Sequence, residues 1–93
     1  MNNERLSQLR TEIDAIDTEL AVLFERRMNI VSEVAIIKHN AELPIYDSSR
    51  EDIVISQGRE RVSPEHADNM EQFLRELMRL SKEYQKKVVV RNR

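Results

Sequence analysis

The run LSQLRTEIDAIDTELAVLFERRMNIVSEVAII, residues 6–37, contains neither Gly nor Pro and decides the fold. Its apolar residues Leu6, Leu9, Ile13, Ile16, Leu20, Leu23, Ile30, Val34 and Ile37 recur at steps of three and four, except for the seven-residue step across Arg27, the spacing that aligns them on one side of an α-helix. With Leu6 at position a of a heptad, the a and d positions run on to Ile37, and Arg27 occupies one of the a positions. A helix is predicted from Asn3 to about His39. It would be ~55 Å long at 1.5 Å per residue, whereas a compact chain of this length has a diameter of roughly 32 Å. One chain cannot bury that stripe, so an intertwined helical homodimer in which two long helices pair is expected.

The rest of the composition agrees with an all-α fold. Ninety-three residues hold one Gly, two Pro, no Cys and no Trp, with 34% charged and 4% aromatic residues. That is one small domain, residues 1–93, without the turns of a sandwich, a barrel or a Gly-rich nucleotide fold. Disulfides and thiolate metal sites are excluded. Fifteen Lys and Arg against 17 Asp and Glu give a net charge of -2, which offers no general attraction to nucleic acid or anionic membrane. The N-terminal Met-Asn-Asn-Glu-Arg has neither the charge pattern nor the apolar core of a secretory signal or membrane span. A cytoplasmic location is the default expectation.

Two shorter helices complete a three-helix protomer. Pro44 breaks the chain over residues 40–47. A second helix is predicted from Ser48 or Ser49, with Asp47, Ser48 and Ser49 as good N-caps and Glu51 and Asp52 at the positive end of its dipole. It should carry Ile53, Val54 and Ile55 inward and weaken at Gly58. Ser63-Pro64-Glu65 reads as a serine cap with Pro at the first helical position, and a third helix should run to about Lys87. Its stripe of Met70, Phe73, Leu74, Leu77 and Met78 turns polar at Ser81 and Gln85, with Tyr84 between them. The tail Val88-Val-Val-Arg-Asn-Arg93 is expected to fray.

The residues that carry chemistry are charges on the wrong face. Arg27 in an apolar seam is either a register device with a snorkelling head or one wall of an anion site. Lys38 and Arg10 lie at flanking e positions. Arg27 and Lys38, about 16 Å apart along the helix, have the reach to hold a small dianion between them. Arg10 can join such a site only from an antiparallel partner chain. Gln85 on a core face needs a hydrogen-bond partner, and its amide offers two donors suited to an ether or carboxylate oxygen. Asp47-Ser-Ser-Arg50-Glu51 by itself reads as helix capping. His39 and His66 have no spacing that suggests a metal site, and no metal or cofactor is expected.

Taken together, Leu9-Arg-Thr-Glu-Ile-Asp-Ala-Ile-Asp17, Arg26-Arg27-Met28 to Lys38, Pro44-Ile-Tyr-Asp-Ser-Ser-Arg-Glu51 and the Ser81 and Gln85 pair resemble the all-helical chorismate mutases of the AroQ class. The resemblance covers about Leu6 to Gln85. It implies rearrangement of chorismate to prephenate in the shikimate route to phenylalanine and tyrosine. It assigns Arg27, and Arg10 from the other subunit, as clamps on the substrate carboxylates. Lys38 matches the cation near the ether oxygen and one carboxylate, Asp47 and Arg50 enclose the ring side, and Glu51 matches the acid that contacts the ring hydroxyl. Ser81 lies beside a carboxylate and Gln85 matches the donor to the ether oxygen. It also implies no cofactor and a homodimer with two sites. With little chain beyond Gln85, a free-standing mutase is expected. Alternatives are an isochorismate pyruvate-lyase of the same fold, which the mutase-like Asp47-x-x-Arg50-Glu51 element disfavours, and a non-enzymatic helical dimerisation module.

Overall fold

The computed structural model describes residues 2–92 and contains no strand among them. Helix α1 spans Asn2–Asn40, α2 spans Ser48–Glu60, a short 3₁₀ turn occupies Pro64–His66, and α3 spans Ala67–Arg91. None of these helices is long and apolar enough to cross a membrane. The chain divides into two compact units, one ending at Ile30 and one beginning at Val31.

The first unit is a length of α1. Its heptad side chains stand open, from Leu9 at 40% exposure to Ile30 at 58%. Arg10 is exposed and Arg27 is half-buried. Thr11 and Thr18 donate their hydroxyls to the carbonyls of Ser7 and Asp14, at 3.1 and 2.9 Å, so two polar groups of the helix surface are satisfied within it.

The second unit holds the core. Along its part of α1 the covered residues are Val31, Ser32, Ala35 and Lys38, with Ala35 fully buried, whereas Val34 and Ile37 of the heptad seam remain exposed. Helix α2 turns Glu51, Val54, Ile55, Gly58 and Arg59 inward, a repeat of three and four that marks one face. Ile55, Leu74 and Met78 form the buried cluster, with Val54, Met70 and Leu77 packed against it. Ile53 faces solvent at 47% exposure, because the inward face of a helix cannot take three consecutive residues.

Gly58 continues the helix instead of weakening it, and its missing side chain sets how closely α2 and α3 pack. A Cβ there would lie 2.1 Å from Leu74 Cδ1 and 3.7 Å from Met70 Cγ. Close approach thus compensates the propensity cost of a helical glycine, about 1 kcal/mol.

The turn into α3 also departs from expectation. Ser63 makes no side-chain capping bond; Pro64 opens the 3₁₀ turn, and α3 starts only at Ala67. Arg59 joins the two sides of this turn through Asp68 and Glu71, both at 2.9 Å. Glu71 also takes the guanidinium of Arg75. Its pKa lies below the ordinary carboxylate value, first through the hydrogen bond from Arg75 and then through Arg59. The C-terminal tail does not fray: α3 continues to Arg91, Val88 is 3% exposed, and Asn92 donates its side-chain amide to the Val88 carbonyl at 2.8 Å. Val88 extends the Leu74, Met78, Ser81, Gln85 face by one turn, which ties the segment down. Arg93 lies outside the described residues.

Helix α1 ends before Pro44 is reached. Glu42 adopts a left-handed backbone with φ of 57°, while Leu43 N donates to Lys38 O at 2.8 Å and Glu42 N to His39 O at 3.1 Å. This pair of bonds is the Schellman closure, which usually places Gly at the left-handed position. A side chain there costs roughly 1 kcal/mol. Glu42→Gly should therefore raise stability by about 0.5–1 kcal/mol without altering the loop that leads to α2. Urea denaturation with an unchanged m-value measures this; a loss of stability would show that the Glu42 side chain contributes more than its strain costs.

Candidate functional site

The loop between α1 and α2 is held from both sides. Lys38, half-buried near the end of α1, donates its ammonium to the Ile45 carbonyl at 3.0 Å. Two residues on, Asp47 is the N-cap of α2: its backbone is extended, its Oδ1 accepts from Arg50 N at 3.1 Å, and its carbonyl accepts from Glu51 N at 3.1 Å. Asp47 and Arg50 are exposed. Glu51 sits in the first turn of α2, where the dipole favours a carboxylate.

Across from this turn, Lys82 of α3 pairs with Glu51 Oε2 at 2.9 Å, and both side chains are largely covered, at 29% and 21% exposure. The same ammonium lies 4.8 Å from the centre of the Tyr46 ring, within cation–π range. An open depression beside it is lined by Ile45, Tyr46, Lys82 and Lys86, with the Arg79 and Glu83 pair at its edge. Lys38, the loop, α2 and α3 are thus linked by a continuous series of polar contacts.

Ser81, next to Lys82 in sequence, and Gln85, one turn later, occupy core positions of α3 and are 5% and 7% exposed. Ser81 Oγ donates to the Leu77 carbonyl at 2.8 Å. Gln85 Oε1 is buried without a hydrogen-bond partner among the described residues. Leaving such an atom unpaired costs about 1–3 kcal/mol. A half-turn of the amide exchanges its acceptor for its donors, so a ligand oxygen placed there would meet an N–H.

Of the expected residues, Lys38, Asp47, Arg50, Glu51, Ser81 and Gln85 fall in the unit that begins at Val31, while Arg10 and Arg27 belong to the other. Lys82 and Tyr46 were not singled out by sequence reading. A lysine beside a charge-rich stripe reads as solvated, and nothing in its local spacing reveals a partner 31 residues earlier.

The profile of chorismate mutase type II matches residues 9–86, which include every one of these residues. The chain belongs to that family. Among its relatives, the T-protein of Haemophilus influenzae is 45% identical over 82 residues, covering 84% of this chain and 21% of that protein. The T-protein of Enterobacter agglomerans is 36% identical over 81 residues, again 21% of its length. The chorismate mutase of Methanocaldococcus jannaschii is 31% identical over 65 residues, 70% of this chain and 66% of that protein. The chain therefore spans about a fifth of the length of the two T-proteins. No solved structure gives a significant match.

Within this chorismate mutase type II domain, Asp47 has a structural duty that can be separated from any ligand contact. Asp47→Ala removes the cap bond to Arg50 N and should cost about 1 kcal/mol of stability. Asp47→Asn and Asp47→Ser keep a capping oxygen and should stay within a few tenths of the wild type. Thermal unfolding of the three variants checks this; equal losses would mean that the carboxylate charge, and not the cap bond, supports the helix.

Proposed function

We propose that this chain is a chorismate mutase that converts chorismate to prephenate on the route to phenylalanine and tyrosine, working as a homodimer. The observation that carries the reading is the buried, unpartnered Gln85 amide oxygen beside Ser81 on a core face of α3. An enzyme that must stabilise charge on an ether oxygen has a use for such a group, and a purely structural bundle gains nothing from it. Membership of the family and the chorismate mutase of M. jannaschii support the same substrate.

The reaction breaks one C–O bond and forms one C–C bond within a single molecule. No proton is transferred and no nucleophile attacks, so catalysis rests on holding the enolpyruvyl arm over the ring and on donors aimed at the ether oxygen. In this reading Arg27 and Arg10 of the partner subunit clamp the two carboxylates. Lys38 spends one ammonium hydrogen on the Ile45 carbonyl; the two that remain serve the ether oxygen and a carboxylate. Asp47 and Arg50 close the ring side, and Glu51 accepts the ring hydroxyl. Ser81 turns its hydroxyl from Leu77 toward a carboxylate, and Gln85 donates to the ether oxygen.

The dimer is supported by α1 itself. Thirty-nine residues of helix extend about 58 Å, and its heptad side chains from Leu6 to Ile37 are 37–66% exposed. Unpartnered apolar area on that scale marks an association surface. A partner helix would cover it and bring Arg10 to the other chain's site.

The test mixes purified protein with chorismate and follows the loss of its ultraviolet absorbance together with the appearance of prephenate. Pyruvate release from isochorismate instead would assign the lyase reaction. Gln85→Ala should lose on the order of 10²–10³ in kcat, as when one preorganised donor is deleted. Gln85→Leu should lose as much activity while unfolding at a higher temperature, because it removes a buried polar group that has no partner. A Gln85→Leu protein as active as the wild type would remove the amide from the mechanism.

The trans role of Arg10 has its own test. Arg10→Ala and Arg27→Ala chains, each inactive alone, should regain activity when unfolded and refolded together, since a mixed dimer has one intact site and one doubly damaged site. Mixed dimers that form, by mass spectrometry, yet stay inactive would place Arg10 outside the partner's site.

A further inference from the structure

Among the described residues, Lys82 is the cation of α3 that pairs with the first turn of α2. Arg79 is matched by neighbours on its own helix, Glu76 and Glu83, and Arg75 by Glu71. Lys82 instead crosses to Glu51 Oε2 at 2.9 Å and lies over Tyr46 at 4.8 Å from the ring centre. A lysine stem has four rotatable carbons and ordinarily samples many positions. Here a carboxylate and an aromatic face hold the ammonium from two directions, and both members of the ion pair are more than two-thirds covered. The Glu51 carboxylate is fixed in return: Lys82 takes Oε2, which leaves Oε1 to receive a ligand hydroxyl.

We propose that Lys82 is a positioning residue that aims Glu51 at the substrate's ring hydroxyl, with Tyr46 as its lateral support. The inference rests on the reading of Glu51 as the acceptor of that hydroxyl. Lys82 does not touch the reacting atoms. It holds one carboxylate oxygen so that the other points outward. Tyr46 precedes the Asp47 cap by one residue, so its ring couples the position of the loop to that of the ammonium. The specificity of the site for a hydroxylated ring would then depend on a pair that joins two helices, not on Glu51 alone.

The experiment compares kcat/KM for chorismate with kcat/KM for an analogue lacking the ring hydroxyl, in the full-length protein. Lys82→Met should lower the chorismate value about fivefold, the size of a partly covered ion pair, and leave the analogue value unchanged. Lys82→Arg keeps the pair and should restore most of the loss. Tyr46→Leu should fall between wild type and Lys82→Met. Because Lys82 acts through Glu51, adding Lys82→Met to Glu51→Gln should cost nothing further. A Lys82→Met enzyme that loses both substrates equally, or neither, overturns the proposal. If Glu51→Gln itself fails to distinguish the two substrates, the ring-hydroxyl reading of Glu51 falls and the proposal with it. If Glu51→Gln distinguishes them and Lys82→Met does not, Glu51 keeps its role and Lys82 alone loses its own. Circular dichroism of each variant separates these outcomes from misfolding.

Discussion

A helix that carries more apolar surface than its own chain covers is the constraint on which the rest depends. The heptad side chains of α1 stand largely exposed from Leu6 to Ile37. In the stretch from Val31 onward, the covered side of α1 is a different one, through Val31, Ala35 and Lys38. The helix therefore has two jobs on two faces. One face, small at Ala35, accepts its own chain and delivers Lys38 to the loop before α2. The other presents the exposed a and d positions of the heptad seam.

Helix α3 carries the complementary conflict. Its inward face runs Ala67, Leu74, Met78, Ser81, Gln85 and Val88, all buried. Two of these six are polar, at positions where Leu or Met would pack without the cost of an unpaired amide oxygen. Val88, 3% exposed, continues this buried face one turn beyond Gln85. The frayed tail expected from Val88-Val-Val failed because a β-prone run was weighed on intrinsic propensity, whereas the face of the helix decides.

Periodicity made the three helices legible, and the bounds of α1 and the start of α2 lie within a residue or two of expectation. What could not be read is closure. Glu42 occupies a left-handed position with no Gly to announce it. Ser63 looks like a cap, but Pro64 draws the chain into a 3₁₀ turn that leaves the serine hydroxyl without that bond. Ile53, Val54 and Ile55 are equally apolar, and only the face set by Gly58 against Leu74 tells which of them turns inward. For the site, Gln85 and Ser81 were visible as polar breaks in an apolar stripe. Lys82 was not, since its partner Glu51 belongs to another helix and no local rule links them.

Ion pairs sort by whether they cross between elements. Arg79 with Glu76 and Glu83, and Arg75 with Glu71, join residues three or four apart on one helix; such pairs add little and are screened by salt. Arg59 with Asp68 and Glu71, and Lys82 with Glu51, tie the two ends of α2 to α3. Between them the Ile55 and Gly58 face fits against Leu74 and Met78. Three fixed points along thirteen residues leave α2 one register. A slip of one turn would carry Glu51 by about 5.4 Å, break both crossing pairs and drive Ile55 or its neighbour into the space that glycine leaves. Packing that locks α2 in place thus also fixes where its first turn sits relative to Ser81 and Gln85. Geometry at that end depends on a contact seven residues away, at the one position in the chain without a side chain.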